Sequence, residues 1–88
     1  MKKVVQYAEV EGEGLEALLG EPVILLCNNY FYAGVLTGVN TTCVLLTEAK
    51  IVYETGDWGA KTWANAQAFP GGSLYVQRAF IEAFGLGK

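Results

Sequence analysis

Histidine is missing from this chain, and with it the commonest general base and metal ligand of protein sites. Arginine occurs once, as Arg78. Charged residues of all kinds make up 17% of the sequence against 52% hydrophobic, the reverse of a disordered chain's balance, so the sequence is expected to fold. The formal net charge of −3 argues against nonspecific nucleic-acid binding, which needs many lysines and arginines to release counterions. No segment approaches the ~20 consecutive apolar residues of a membrane-spanning helix, and no membrane partner is expected. The opening residues carry Lys2 and Lys3 but run into Glu9, Glu11 and Glu13, without the apolar stretch or cleavage site of a secretory signal. The two cysteines, Cys27 and Cys43, sit inside apolar runs rather than in a spaced framework, which reads as reduced, buried thiols in a cytoplasmic protein.

Little is left for catalysis. Neither cysteine has an evident activating base, and two thiols at this spacing do not make a zinc site. Glu9, Glu11, Glu13, Glu16 and Glu21 crowd the N-terminal quarter and read as a solvated face, because a catalytic carboxylate needs an apolar pocket to shift its pKa. Gly12-Glu13-Gly14 and Pro70-Gly71-Gly72 lack the strand–glycine–helix setting of a phosphate loop. The expectation is a protein that is not an enzyme and carries no metal or cofactor.

The patterns that are present are mostly those of strands. Residues 1–12 alternate weakly and form an N-terminal extension with strand character. Leu15, Leu18 and Leu19 stand at i, i+3 and i+4, which predicts a short amphipathic helix over 13–19, stopped by Gly20 and Pro22. Val23 to Cys27 reads as a strand apolar on both faces, followed by an Asn28-Asn29 turn, since asparagine tolerates positive φ. Tyr30 to Val39 is the returning strand. Its Gly34 and Gly38 weaken a flat strand but suit one that bends sharply or meets another backbone closely. Asn40-Thr41-Thr42 makes the next turn, and Cys43 to Tyr53 a third strand with a bulge near Ala49-Lys50. Residues 54–72 form a long variable loop bearing Trp58 and Trp63, either a cover over apolar surface or an exposed tip for a partner. From Ser73 to Phe84 two short strands are expected with a break near Gln77-Arg78, and residues 85–88 as a frayed tail.

A domain this small has much surface for little interior, so so large an apolar content points to contacts between copies of the chain. Most of the aromatics, Tyr30, Phe31, Tyr32, Phe69, Tyr75, Phe80 and Phe84, read as core or interface. Arg78 is either a surface ion-pair partner or a ligand contact, because it falls at the break between the last two strands.

The order of these parts resembles the Sm-like family, the Sm, LSm and Hfq proteins. Tyr32-Ala33-Gly34-Val35-Leu36 is similar to the aromatic-x-Gly-x-Leu of the family's bent second strand, and Val44-Leu45-Leu46 with Glu48-Ala49 to its third. Residues 23–53 correspond to the first Sm motif and 73–84 to the second, where Leu74-Tyr75-Val76-Gln77-Arg78-Ala79-Phe80 replaces the usual pattern. The resemblance implies one domain over 1–88: a mostly β fold with a short N-terminal helix and a strongly bent, five-stranded antiparallel Sm-like (SH3-type) barrel. It implies homo-oligomeric rings of about five to seven subunits, with Tyr75, Val76, Phe80, Ile81 and Phe84 at the seam. It also implies single-stranded RNA binding at the pore, through Asn40, Thr41, Thr42, Gln77 and Arg78. The chain departs from the family in a shorter turn without an aromatic at Asn40-Thr41-Thr42-Cys43, in Gln77-Arg78 for arginine-glycine, and in the Trp-bearing loop. Three readings stay open: an RNA-binding ring, a ring that scaffolds a protein partner through Trp58 and Trp63, and a lone SH3-like barrel that binds peptide.

Overall fold

The alternation of Val23 to Cys27 is realised as a strand that feeds two separate cores. In the computed structural model, which describes residues 14–88, β1 spans Pro22–Cys27, β2 Phe31–Val39, β3 Cys43–Glu54, β4 Asn65–Ala68, β5 Leu74–Gln77 and β6 Ile81–Leu86. Val23, Leu25 and Cys27 point into the main core with Leu15, Leu36, Val44, Leu46, Ala49 and Val76. Ile24 points the other way, onto a second cluster with Ala33 and Val52, against which Leu26, Phe31, Trp63 and Ala66 pack. A strand buried on both faces has no use for polar alternation, which is why this run reads as continuous apolar sequence. The strand character assigned to residues 1–12, and residue 13 of the predicted helix, lie outside the described residues.

Every ladder is antiparallel, and the sheet runs in the order β4-β3-β2-β1-β6. β5 also pairs with β3. β4 lies against Lys50 to Glu54 and β5 against Cys43 to Leu46, so the two follow one another along the same side of β3. They are one strand interrupted at Pro70-Gly71-Gly72, where both glycines have positive φ (83° and 79°) and Gly72 donates to the Phe69 carbonyl. Among the described residues the sheet therefore has six strands rather than the five expected, and the segment expected to be loop over 54–72 contains one of them.

At Gly34 the β2–β3 ladder is irregular and the two backbones approach closely. A Cβ at this position would stand 2.8 Å from the Thr47 carbonyl oxygen and 3.2 Å from the Ala49 Cα. The β2–β3 register shifts here and again between Leu36 and Gly38, and Glu48 opposite takes φ 51°. This is the bulge expected near Ala49-Lys50.

Four other expectations are corrected. The barrel is not closed: β5 already uses one side on β3 and β6 one side on β1, and no ladder joins them among the described residues. The predicted helix over 13–19 is a single 3-10 turn, Gly14–Leu18, with i→i+3 bonds from Leu19 to Glu16 and from Glu21 to Leu18. Five residues are too few to repay α-helix nucleation, and the turn is held instead by the burial of Leu15 and by the Gly20 N–H on the Leu36 carbonyl. The tail is not frayed, since β6 extends to Leu86 along β1 and Gly87 N–H bonds the Pro22 carbonyl. Finally, the Asn28-Asn29 turn forms without positive φ at either asparagine.

Candidate nucleic-acid interface

Two turns that are far apart in sequence meet at one end of β3. The β2–β3 turn is closed by Asn40, whose side-chain oxygen Oδ1 accepts from the Thr42 N–H (2.9 Å), the Cys43 N–H (2.8 Å) and the Thr42 hydroxyl (3.3 Å). This is an Asx turn, and it explains why asparagine begins the segment. The β5–β6 connection arrives beside it because Cys43 pairs with Gln77 and the Arg78 N–H bonds the Thr42 carbonyl at 2.9 Å. Arg78 Nη1 then donates to the Asn40 carbonyl oxygen at 2.8 Å. The break expected near Gln77-Arg78 is a 3-10 turn, Arg78–Phe80, which points the arginine back over the first turn.

A cleft of about 670 Å³ lies alongside, lined by Thr41, Thr42, Cys43, Tyr75, Gln77, Arg78 and Ala79. Thr41, Thr42, Gln77 and Arg78, all named from the sequence, are therefore brought together, while Asn40 is not among the lining residues and is tied to them through the Arg78 bond to its carbonyl. The chemistry left over is specific. The Asn40 Oδ1 is committed to the turn, so its amide NH2 is the part free to donate to a ligand. Arg78 offers the remaining guanidinium donors, which suit a phosphate or a base edge.

Tyr75 lines the cleft too, although sequence reasoning did not place it with these turns. Assigned to a subunit seam, it is 68% exposed. The period of two along β5 puts Tyr75 and Gln77 on one face, and that signal was available in the sequence. Tyr75 is the aromatic side chain among the cleft's lining residues.

Tyr75 also borders a second cavity of about 350 Å³, with Tyr30, Tyr32, Asn28, Asn29, Cys27, Gln77 and Phe80. Tyr30 meets Tyr32 and Tyr53 edge-on, at ring-centroid distances of 6.4 and 6.0 Å. Burial raises the Cys27 thiol pKa, helped by the charge of Glu82, and burial also raises that of the Tyr32 phenol, helped by Cys27 and Tyr30.

Of the remaining predicted seam residues, Phe80 and Phe84 are exposed and Ile81 is half-buried against the core. Val76, which alternates with Tyr75 along β5, is buried in the main core. Trp58 and Trp63 belong to the loop between β3 and β4. Trp63 covers the second core cluster, whereas Trp58 is 56% exposed.

No protein-family model matches the chain, and neither does any curated protein. Among the described residues, no three His, Cys, Asp or Glu side chains converge where they could hold a metal ion, and no helix is long and apolar enough to cross a membrane.

Proposed function

We propose that this protein is an Sm-like, ring-forming protein that binds single-stranded RNA in the Thr41–Thr42/Gln77–Arg78 cleft. The observation that carries the reading is the Arg78–Asn40 clamp, which gathers the two turns beside an exposed tyrosine. In this reading a base stacks on Tyr75, a contact worth about 1–3 kcal/mol. The Asn40 amide donates to the base edge, and Arg78 and Thr42 hold phosphate or sugar.

In this reading self-assembly uses two of the strand edges that carry no ladder among the described residues, the outer side of β5, near the exposed Tyr75, and that of β6, near the exposed Phe84 and Leu86. Pairing them head to tail is a heterologous contact that closes into a ring when the rotation allows. It would satisfy unpaired backbone groups and cover the exposed Phe80, Phe84 and Leu86 at once. A ring then repeats the cleft, so that a modest single site gains from multivalency.

A ring that scaffolds a protein partner without RNA is the rival, favoured by the net charge of −3 and the exposed Trp58. Filter binding of short uridine- or adenine-rich RNA at low salt decides between them. The RNA reading expects saturable binding with a modest salt slope, reduced about tenfold or more by Arg78→Ala through loss of a charge-assisted contact. Absence of binding at low salt would end it, and a monomer by light scattering would end both ring readings.

A further inference from the structure

The loop between β3 and β4 is closed on itself by backbone bonds, from the Ala60 N–H to the Asp57 carbonyl (3.0 Å) and from the Ala64 N–H to the Thr55 carbonyl (3.3 Å). Asp57 Oδ1 adds a bond from the Gly59 N–H at 2.9 Å. Trp63 is fixed at the loop's end by packing on Ile24, Ala33 and Val52, with Trp58 edge-on to it at 5.6 Å and 89°. Into this frame comes the ammonium of Lys88. Its Nζ donates to the Asp57 carbonyl at 2.9 Å and to the Thr62 carbonyl at 3.4 Å, and stands 4.4 Å from the Trp63 ring centroid.

These partners form a set suited to a primary ammonium. The group has three N–H donors and no acceptor, and here it meets two carbonyl oxygens and an aromatic face rather than a carboxylate. The route that delivers it is built as well. A Cβ on Gly87 would stand 2.8 Å from both the carbonyl carbon and oxygen of Val23 and 3.0 Å from the Ile24 nitrogen. Glycine at this position lets the chain pass against β1, where the Gly87 N–H bonds the Pro22 carbonyl at 2.9 Å, and carries Lys88 to the loop.

We infer that the Asp57–Trp63 loop is a recognition site for the primary ammonium of a lysine side chain, occupied in this chain by Lys88, and that a lysine presented by a partner protein enters when Lys88 leaves. The intramolecular lysine acts as a competitor at high effective concentration, so the site is masked until it is displaced. Acidic net charge and the exposed Trp58 beside the site favour a partner segment that is basic and partly apolar. The 2.9 Å contact requires an N–H, so a quaternary ammonium is rejected. The inference does not depend on RNA binding or on ring formation.

The test uses the full chain with Lys88→Ala and n-butylammonium as the lysine mimic, read by fluorescence of the two tryptophans at constant ionic strength. A saturable change in the variant, with at least about tenfold weaker response in the unaltered protein, is the expected result. Tetramethylammonium should give no saturable change in either. Equal responses from variant and parent, no response from the variant, or equivalence of the two ammonium ions would each overturn the proposal. NMR of the unaltered protein gives an independent check, because the Trp63 ring current should move the Lys88 ε-methylene protons upfield of those of the exposed Lys61. Coincident shifts would mean that the ammonium is not held over the ring, and the site would be rejected whatever the variant does.

Discussion

The Arg78 guanidinium holds the Asn40 backbone carbonyl at 2.8 Å, so the two turns of the candidate RNA cleft form one unit. Arg78 approaches the main chain of Asn40, while the side chain of Asn40 is engaged by Thr42 and Cys43. The structural and ligand-binding parts of Asn40 can therefore be separated by substitution.

Asn40→Ala removes the acceptor that closes the turn and should destabilise the protein by about 1 kcal/mol, the usual worth of such a bond. Asn40→Asp keeps that oxygen, so its urea midpoint should stay near that of the parent. It loses the amide donors and adds a negative charge at the cleft. On the RNA reading, the aspartate variant keeps its stability and loses RNA affinity. An aspartate variant that binds RNA as well as the parent would remove Asn40 from the site.

The contrast between Gly34 and Gly38 tests the role of the close backbone approach in the β2–β3 ladder. A methyl group at Gly34 meets backbone atoms at 2.8 Å and 3.2 Å, which cannot retreat without opening the β2–β3 ladder, whereas at Gly38 the nearest atom is the Leu45 Cβ at an ordinary 3.5 Å. Gly34→Ala should cost about 1–3 kcal/mol by overpacking, and Gly38→Ala should lie within about 1 kcal/mol of the parent. Thermal melts of the two single variants measure the difference, and equal losses would show that the ladder does not depend on the approach to Thr47.

Raised pKa values at two groups give the protein an alkaline limit. Cys27 and Tyr32 both hold their protons more tightly when folded, chiefly through burial. The folded state thus binds more protons than the unfolded state once pH passes the unfolded thiol value near ~8.5 and then the phenol value near ~10. The stabilisation is complete below those values and is lost as pH rises through the folded ones. Urea midpoints should be flat around neutrality and fall above about pH 8.5, with the earlier part of the fall absent in Cys27→Ala. A midpoint that rises with pH over this range would contradict the assignment.

What could be read from the sequence was what depends on local chemistry. The two-faced apolar run of β1, the close backbone approach at Gly34, the asparagine-led turn and the break at Arg78 all announce themselves through residue type and spacing. The leucine spacing at Leu15, Leu18 and Leu19 misled because it fits a 3-10 turn as well as a helix, and five residues settle for the shorter form. Short strand β4, Asn-Ala-Gln-Ala, alternates only alanine with polar residues, too weak and too short a pattern to stand out. It exists because β3 is long enough to offer a second partner site beyond β5. The cleft was legible in its polar members but not in Tyr75, whose aromatic ring suggested burial while its partner across the strand, Val76, took the core position. The Lys88 contacts lie beyond any local pattern, joining residues 31 and 26 positions apart.

The last stretch of β6 offers a further paired test. Gly85 and Gly87 sit two apart and look equivalent in the sequence, yet a Cβ at Gly85 meets nothing within 4 Å, while one at Gly87 meets the β1 backbone at 2.8 Å. Gly85→Ala should be neutral or stabilising by up to about 1 kcal/mol, through the reduced freedom of the unfolded chain. Gly87→Ala should push the chain off β1, break the bond from its N–H to the Pro22 carbonyl, and withdraw Lys88 from the Asp57 and Thr62 carbonyls. Native-state amide exchange reads this locally. Faster exchange at Gly87-equivalent and loop amides, with the central β2–β3 ladder unchanged, is the expected pattern for Gly87→Ala, and none of it for Gly85→Ala. Uniform loss of protection across the whole sheet would mean instead that residue 87 supports the global fold rather than the delivery of Lys88.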